Sequence, residues 1–152
     1  MSRIVNRKDQ HLDVVLSGAA AHGLDAGFAR VRFVHEALPD LDHAKIDLGA
    51  DFLGRRLKAP LLISSMTGGP ARAESINARL AEAAQHLGIA LAVGSQRAAL
   101  DTENATPGLD MALRLKAPDT PILANIGAAQ LTRGFGVDGA RRALDMIAAD
   151  AL

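Results

Sequence analysis

Three short apolar runs recur in the second half of the chain, starting at Leu61, Ile89 and Pro121, 28 and then 32 residues apart. The first, Pro60 to Met66, runs into Thr67-Gly68-Gly69; the second, Ile89 to Val93, into Gly94-Ser95; the third, Pro121 to Ile126, into Gly127. A strand that is apolar at nearly every position is buried on both faces, which is the habit of parallel sheets covered by helices. The segments between the runs carry helical patterns. Glu74 to Leu87 places Ile76, Leu80, Ala83 and Leu87 on one face, with Gly88 as the stop. Thr106-Pro107 reads as an N-cap with a first-turn proline, opening a helix through Lys116, and Asp138 to Ala149 aligns Ala140, Leu144 and Ile147. The spacing therefore predicts an α/β protein of repeating βα units.

Doubly wound sheets and (β/α)8 barrels both contain such units. A barrel takes about 250 residues, and this sequence has 152. A fourth strand is due at Ala149-Asp150-Ala151-Leu152, so the chain reads as cut short after three units. Residues 59–152 are expected to hold those units, and residues 1–58 to form a separate N-terminal helix and strand or hairpin segment. There Arg7 to Ser17 reads as a short helix carrying Leu12, Val15 and Leu16. Phe28 to Val34 reads as a strand broken by Pro39-Asp40, and Lys45 to Leu57 as two short strands bending at Gly49-Ala50-Asp51.

Composition narrows the function classes. Seventeen basic and seventeen acidic side chains give a formal net charge of zero, which provides no general attraction to nucleic acid or anionic membrane. Without cysteine there is no disulfide, thiolate nucleophile or Cys-based metal site. Charges at Arg3, Arg7, Lys8, Asp9 and Asp13 exclude a signal-peptide apolar stretch, and no run of 18 apolar residues exists to span a membrane. A cytoplasmic protein is expected.

Polar residues collect at the C-terminal ends of the three runs, where α/β proteins bind ligands. Ser64-Ser65-Met66-Thr67-Gly68-Gly69 offers hydroxyls and backbone N–H groups, or serves simply as a tight strand-to-helix turn. Gly94-Ser95-Gln96-Arg97 offers a hydroxyl, an amide and a guanidinium suited to phosphate; the bland alternative is a solvated loop arginine. Asn125 places an amide in an apolar strand end, where a ligand or a neighbouring strand must satisfy it. Arg7 and His11 share a helix face at i, i+4, as a cationic patch or as an ordinary solvated segment. His22, His35, His43 and His86 have no metal-ligand spacing, and no Walker loop, GxGxxG or G-x-S-x-G occurs.

Arg7-Lys8-Asp9-Gln10-His11-Leu12, Arg32 to Pro39, Met66-Thr67-Gly68-Gly69, Val93-Gly94-Ser95-Gln96-Arg97 and Ala124-Asn125-Ile126-Gly127 together resemble type 2 isopentenyl-diphosphate isomerase over essentially the whole chain. The resemblance implies the N-terminal portion of a TIM barrel, truncated before its fourth strand. It implies interconversion of isopentenyl and dimethylallyl diphosphate with FMN kept reduced by NADPH, with Mg²⁺, in a homo-oligomer. Arg7, Lys8 and His11 would then bind substrate, as would Ser95, Gln96 and Arg97. Ser65, Met66, Thr67, Ser95 and Asn125 would contact FMN.

The family's fourth-strand H-L-N-x-x-Q-E segment, with its substrate-binding Gln and Mg²⁺-binding Glu, falls beyond Leu152. No catalytic or metal-binding residue is therefore assigned within these 152 residues, and the piece alone is expected to be inactive. Another FMN-dependent barrel oxidoreductase, and a non-catalytic fragment acting as an assembly partner, are the alternatives.

Overall fold

Leu62–Ile63 (β3), Ala90–Ala92 (β4) and Ile122–Leu123 (β5) form one parallel sheet in the order β3-β4-β5, with Leu62 opposite Ala90 and Leu91 opposite Ile122. These coordinates come from a computed structural model that describes residues 3–21, 23–65, 71–101 and 109–152. Each of the three apolar runs thus supplies a strand, and the strands are parallel as their spacing predicts. An isolated parallel bridge from Leu123 to Ala151, with the Ala124 N–H donating to the Ala151 carbonyl at 2.7 Å, extends the ladder by one more position. The chain thus turns into a fourth sheet position within its own last residues.

Helices connect the strands. Ala71–Leu87 (α2) leads from β3 to β4 and ends as its sequence predicts: Gly88 adopts φ 65°, the Gly88 N–H donates to Gln85 and the Ile89 N–H to Ala84. That pair of bonds closes a helix end with a left-handed residue, which glycine adopts without a Cβ penalty. Arg97–Leu100 (α3) and Met111–Lys116 (α4) lie between β4 and β5. Asp110 caps α4, its Oδ1 accepting from the Ala112 N–H at 2.9 Å; the expected cap at Thr106-Pro107 lies outside the described residues. After β5, Ala128–Gln130 (α5), a π-helical turn at Leu131–Phe135 and Gly136–Met146 (α6) run consecutively.

The core lies between the sheet and these helices. Leu91, Val93, Ile122 and Ala124 meet Ala81, Ala84, Leu109, Leu113, Ala143 and Ile147. On α2 the fully buried residues are Ala73, Asn77, Ala81 and Ala84, one position on from the expected face; of that face Leu80 packs against the core half-buried while Leu87 is exposed. On α6 Gly139 and Ala143 are buried, and of the expected stripe Ile147, just past the helix end, is fully buried and Leu144 partly so. Small residues bring helix and sheet close together, so close approach outweighs the larger side chains in setting which face turns inward.

The N-terminal region departs further from expectation. Arg3–Leu16 (α1) is helical, as the pattern around Arg7 predicts. Phe28–Val34 is not a strand: Phe28–Arg30 forms a 3-10 turn, and Phe33 and Val34 are almost fully exposed. High strand propensity is insufficient where no neighbour among the described residues supplies the ladder. The hairpin exists as Ala50–Phe52 (β1) and Arg55–Leu57 (β2), antiparallel, but its bend is Leu53-Gly54 and not Gly49-Ala50-Asp51. Leu53 and Gly54 have φ 50° and 73°, as a two-residue turn whose twist matches its strands requires at both central positions.

Candidate functional site

The ladder between β4 and β5 changes register where the strands end. The Leu91 N–H donates to Pro121 O and the Val93 N–H to Leu123 O, so the next bond in sequence would come from Ser95. It comes instead from Gln96, whose N–H donates to Asn125 O at 2.9 Å. Ser95 is thus an extra residue in the strand, a bulge of the kind that re-aims side chains. Because side chains alternate across a sheet, the skip gives Gln96 the helix-facing position that Ser95 would have held.

Gln96 occupies that position fully. Its side chain is completely buried, with Nε2 donating to Ala143 O of α6 at 2.8 Å and Oε1 accepting from the Asn125 N–H at 2.9 Å. Gln96 therefore sits inside the protein, not at the strand-end surface where the resemblance puts a substrate contact. No motif reports a bulge, so nothing in the sequence could have shown this.

The other candidates fall in three places. Asn125 is half-buried and shares sheet-face parity with Leu123, away from the helix-packed Ile122 and Ala124. Ser95 is half-buried beside it in the neighbouring strand, and its Oγ accepts from the Arg97 N–H at 3.4 Å. Arg97 opens α3, and its Nε donates to Asp101 Oδ2 at 3.2 Å, one turn along that short helix. Ser95, Arg97 and Asn125 thus belong to the ends of two adjacent strands. Ser65 follows β3 and is exposed, while Met66 and Thr67 lie outside the described residues. Arg7, Lys8 and His11 all fall within α1, where Arg7 and His11 are one turn apart. His11 is exposed; the side chains of Arg7 and Lys8 lie outside what the structure describes.

One residue at this end of the sheet escaped the sequence reading. Gln130 is buried, and its Oε1 has no hydrogen-bond partner among the described residues. That oxygen packs where a side chain on Gly127 would begin. Gly127 is needed there for close approach, and the orphaned acceptor marks a place where a donor is missing.

A sequence-family profile described as FMN-dependent dehydrogenase matches residues 15–115. The chain belongs to the FMN-dependent dehydrogenase family. Individual relatives carry a narrower name. A protein of Xanthobacter autotrophicus named isopentenyl-diphosphate delta-isomerase is 63% identical over 96% of this chain and 43% of its own length. Proteins of the same name from Stutzerimonas stutzeri and Pseudescherichia vulneris are 59% and 58% identical, over 98% and 99% of the chain and 43% of each relative. The chain spans less than half the length of these curated relatives.

The strand ends suit the FMN of this family. A flavin ring presents alternating N–H and C=O groups along one edge, which asks for short polar side chains on adjacent strands. Ser95 and Asn125 are such a pair, and Gln130 adds a buried acceptor that is unmatched among the described residues.

Proposed function

We propose that the protein carrying this chain is a type 2 isopentenyl-diphosphate isomerase, interconverting isopentenyl and dimethylallyl diphosphate. The single observation behind the proposal is the 63% identity over 96% of the chain with a protein of that name. Membership in an FMN family and the polar strand ends are consistent with it. In this reading residues 59–152 form the first units of a TIM barrel, completed by sequence beyond Leu152. The complete protein is a cytoplasmic homo-oligomer.

Reduced FMN, regenerated by NADPH, supplies the groups that add and remove the proton, and Mg²⁺ accompanies the diphosphate. This chain's own residues bind and orient. Asn125 hydrogen-bonds the flavin, together with Ser65, Met66 and Thr67 from the end of the first unit. Ser95 would contact both ligands. Arg97 holds the diphosphate through charge-assisted hydrogen bonds, and Arg7, Lys8 and His11 of α1 add to that anion site. A neutral chain needs only such a local cluster to bind a small anion.

The test is to purify the complete gene product, reconstitute it with FMN, reduce it with NADPH and supply isopentenyl diphosphate and Mg²⁺. Dimethylallyl diphosphate should accumulate to an equilibrium mixture. Reduced, flavin-loaded protein that leaves isopentenyl diphosphate unchanged would rule the reading out. Oxidation of a 2-hydroxy acid by the same preparation would favour the oxidoreductase that the family description suggests.

A further inference from the structure

We infer that Gln96 is a positioning residue, setting the geometry of the cofactor and substrate groups on either side of it without touching either ligand. The inference rests on the flavin-and-diphosphate reading for its function and on the geometry alone for its mechanism.

Gln96 joins four elements. Its N–H donates to Asn125 O and its Oε1 accepts from the Asn125 N–H, both at 2.9 Å, so one residue holds both polar groups of the Asn125 backbone. In the regular register set by Leu91 opposite Ile122, the Asn125 N–H would point to Val93 O. The Gln96 side chain thus takes the place of a strand carbonyl across the skipped position. Its Nε2 reaches Ala143 O at 2.8 Å, with Met146 Sδ at 3.7 Å, tying the strand ends to α6. Its own carbonyl accepts the Ala99 and Leu100 N–H groups at 2.9 and 3.0 Å, starting α3 and fixing where Arg97 leaves the strand.

Three of the groups assigned to the ligands, Ser95, Arg97 and Asn125, are therefore fixed relative to Gln96. Ser95 and Arg97 are its chain neighbours, and Asn125 is held by two hydrogen bonds. Losing the amide leaves the Asn125 N–H and Ala143 O buried without partners and releases the spacing between Ser95 and Asn125. A ligand that bridges the two strand ends then binds less well, and so does one held by Arg97. The chemical step, which uses none of Gln96's atoms, is left nearly intact.

The experiment compares Gln96→Met and Gln96→Glu with wild type in the complete gene product. Methionine keeps the length and removes both hydrogen bonds; glutamate keeps the acceptor for Asn125 and loses the donor to Ala143. We expect Gln96→Met to raise both the FMN Kd and the KM for isopentenyl diphosphate about tenfold, equivalent to about 1.4 kcal/mol, with kcat at saturating ligands little changed. Gln96→Glu should recover part of the FMN affinity.

Hydrogen exchange gives a readout independent of catalysis: the Asn125 amide should lose protection in Gln96→Met and keep it in Gln96→Glu. A rise in KM alone, with FMN affinity and Asn125 protection unchanged, would show direct substrate contact and overturn the inference. A lower melting temperature with both affinities unchanged would also overturn it, leaving only a structural role. If Gln96→Met does not fold, Gln96→Glu decides: protected Asn125 with FMN affinity between wild type and a tenfold loss supports the inference, and exposed Asn125 with wild-type affinity defeats it. Wild type that binds no FMN overturns the functional reading, while the Asn125 protection pattern still tests the clamp.

Discussion

Asp150 pairs with Ile122 twice. Its N–H donates to the Ile122 carbonyl and its Oδ2 accepts the Ile122 N–H, both at 2.8 Å. The same carboxylate receives Arg114 at 2.7 Å and Arg55 at 3.1 Å. The N-terminal end of β5 is thus held by a charged side chain from the last residues of the chain, at the end of the sheet opposite the candidate site.

Acid should weaken the protein through Asp150. Burial raises its pKa, but the hydrogen bonds from Ile122 and Arg114 and the charges of Arg114 and Arg55 outweigh that, leaving the carboxyl below its ordinary range. A group depressed in the folded state stabilises fully above its unfolded pKa, about 3.9, and loses that contribution as pH falls through the folded value. Asp150→Asn should therefore be less stable than wild type near neutrality by an amount that shrinks below about pH 4. Urea midpoints measured across the acid range check this; a difference that persists at the lowest pH would refute it.

Arg114 should be the costliest cation to remove. It is 13% exposed and, besides Asp150, donates to Ala117 O, Thr120 O and Ala148 O. Arg114→Ala leaves a partly buried carboxylate and several carbonyls without their donor, a loss of about 3 kcal/mol. Arg114→Lys should recover less than half, since one ammonium cannot reach so many fixed acceptors. Denaturation of both variants gives the comparison.

Ala148→Gly should stabilise the protein. Ala148 has φ 45°, and its N–H donates to Asp145 O while the Ala149 N–H donates to Leu144 O. This is the closing geometry found at Gly88, here with a Cβ in the unfavourable left-handed region. Relief of that strain contributes about 1 kcal/mol, less what glycine's extra freedom in the unfolded chain removes. A higher melting temperature, by a few degrees at most, is the expected sign.

At the strand ends, Arg97→Ala should raise the KM for isopentenyl diphosphate and Asn125→Ala the Kd for FMN. A charge-assisted contact contributes about 1.5–3 kcal/mol, so the Arg97 effect should exceed tenfold. Arg97→Lys should restore only part of it, because the fork is lost. Steady-state kinetics beside flavin titration separates the two roles. Loss of flavin in Arg97→Ala at unchanged KM would contradict the assignment of this loop.

The parallel sheet was readable because its strands are unbroken apolar runs ended by glycine and proline; two-sided burial accounts for this fully at β4, buried at every position, but not at β3, where Leu62 is exposed. Gly88 was readable for the same local reason: its stop needs only one residue in one conformation. Features that depend on a distant partner were not. Phe28 to Val34 has the propensity of a strand but pairs with no strand among the described residues. The face of α2 was set by how closely Ala81 and Ala84 approach the sheet, not by where the largest side chains fall. Gln96 carries two hydrogen bonds to Asn125, and only their pairing reveals that Ser95 is skipped.

That skip constrains how the gene can change. Deleting Ser95 would remove only the extra residue, leaving Gln96 two residues after Val93 at the regular ladder position that faces α6. Adding a residue would move the glutamine out of reach of Asn125. The segment between Val93 and Gln96 should therefore tolerate shortening by one residue better than lengthening. A library of single-codon insertions and deletions across it would show the sharper loss of folded protein among the insertions.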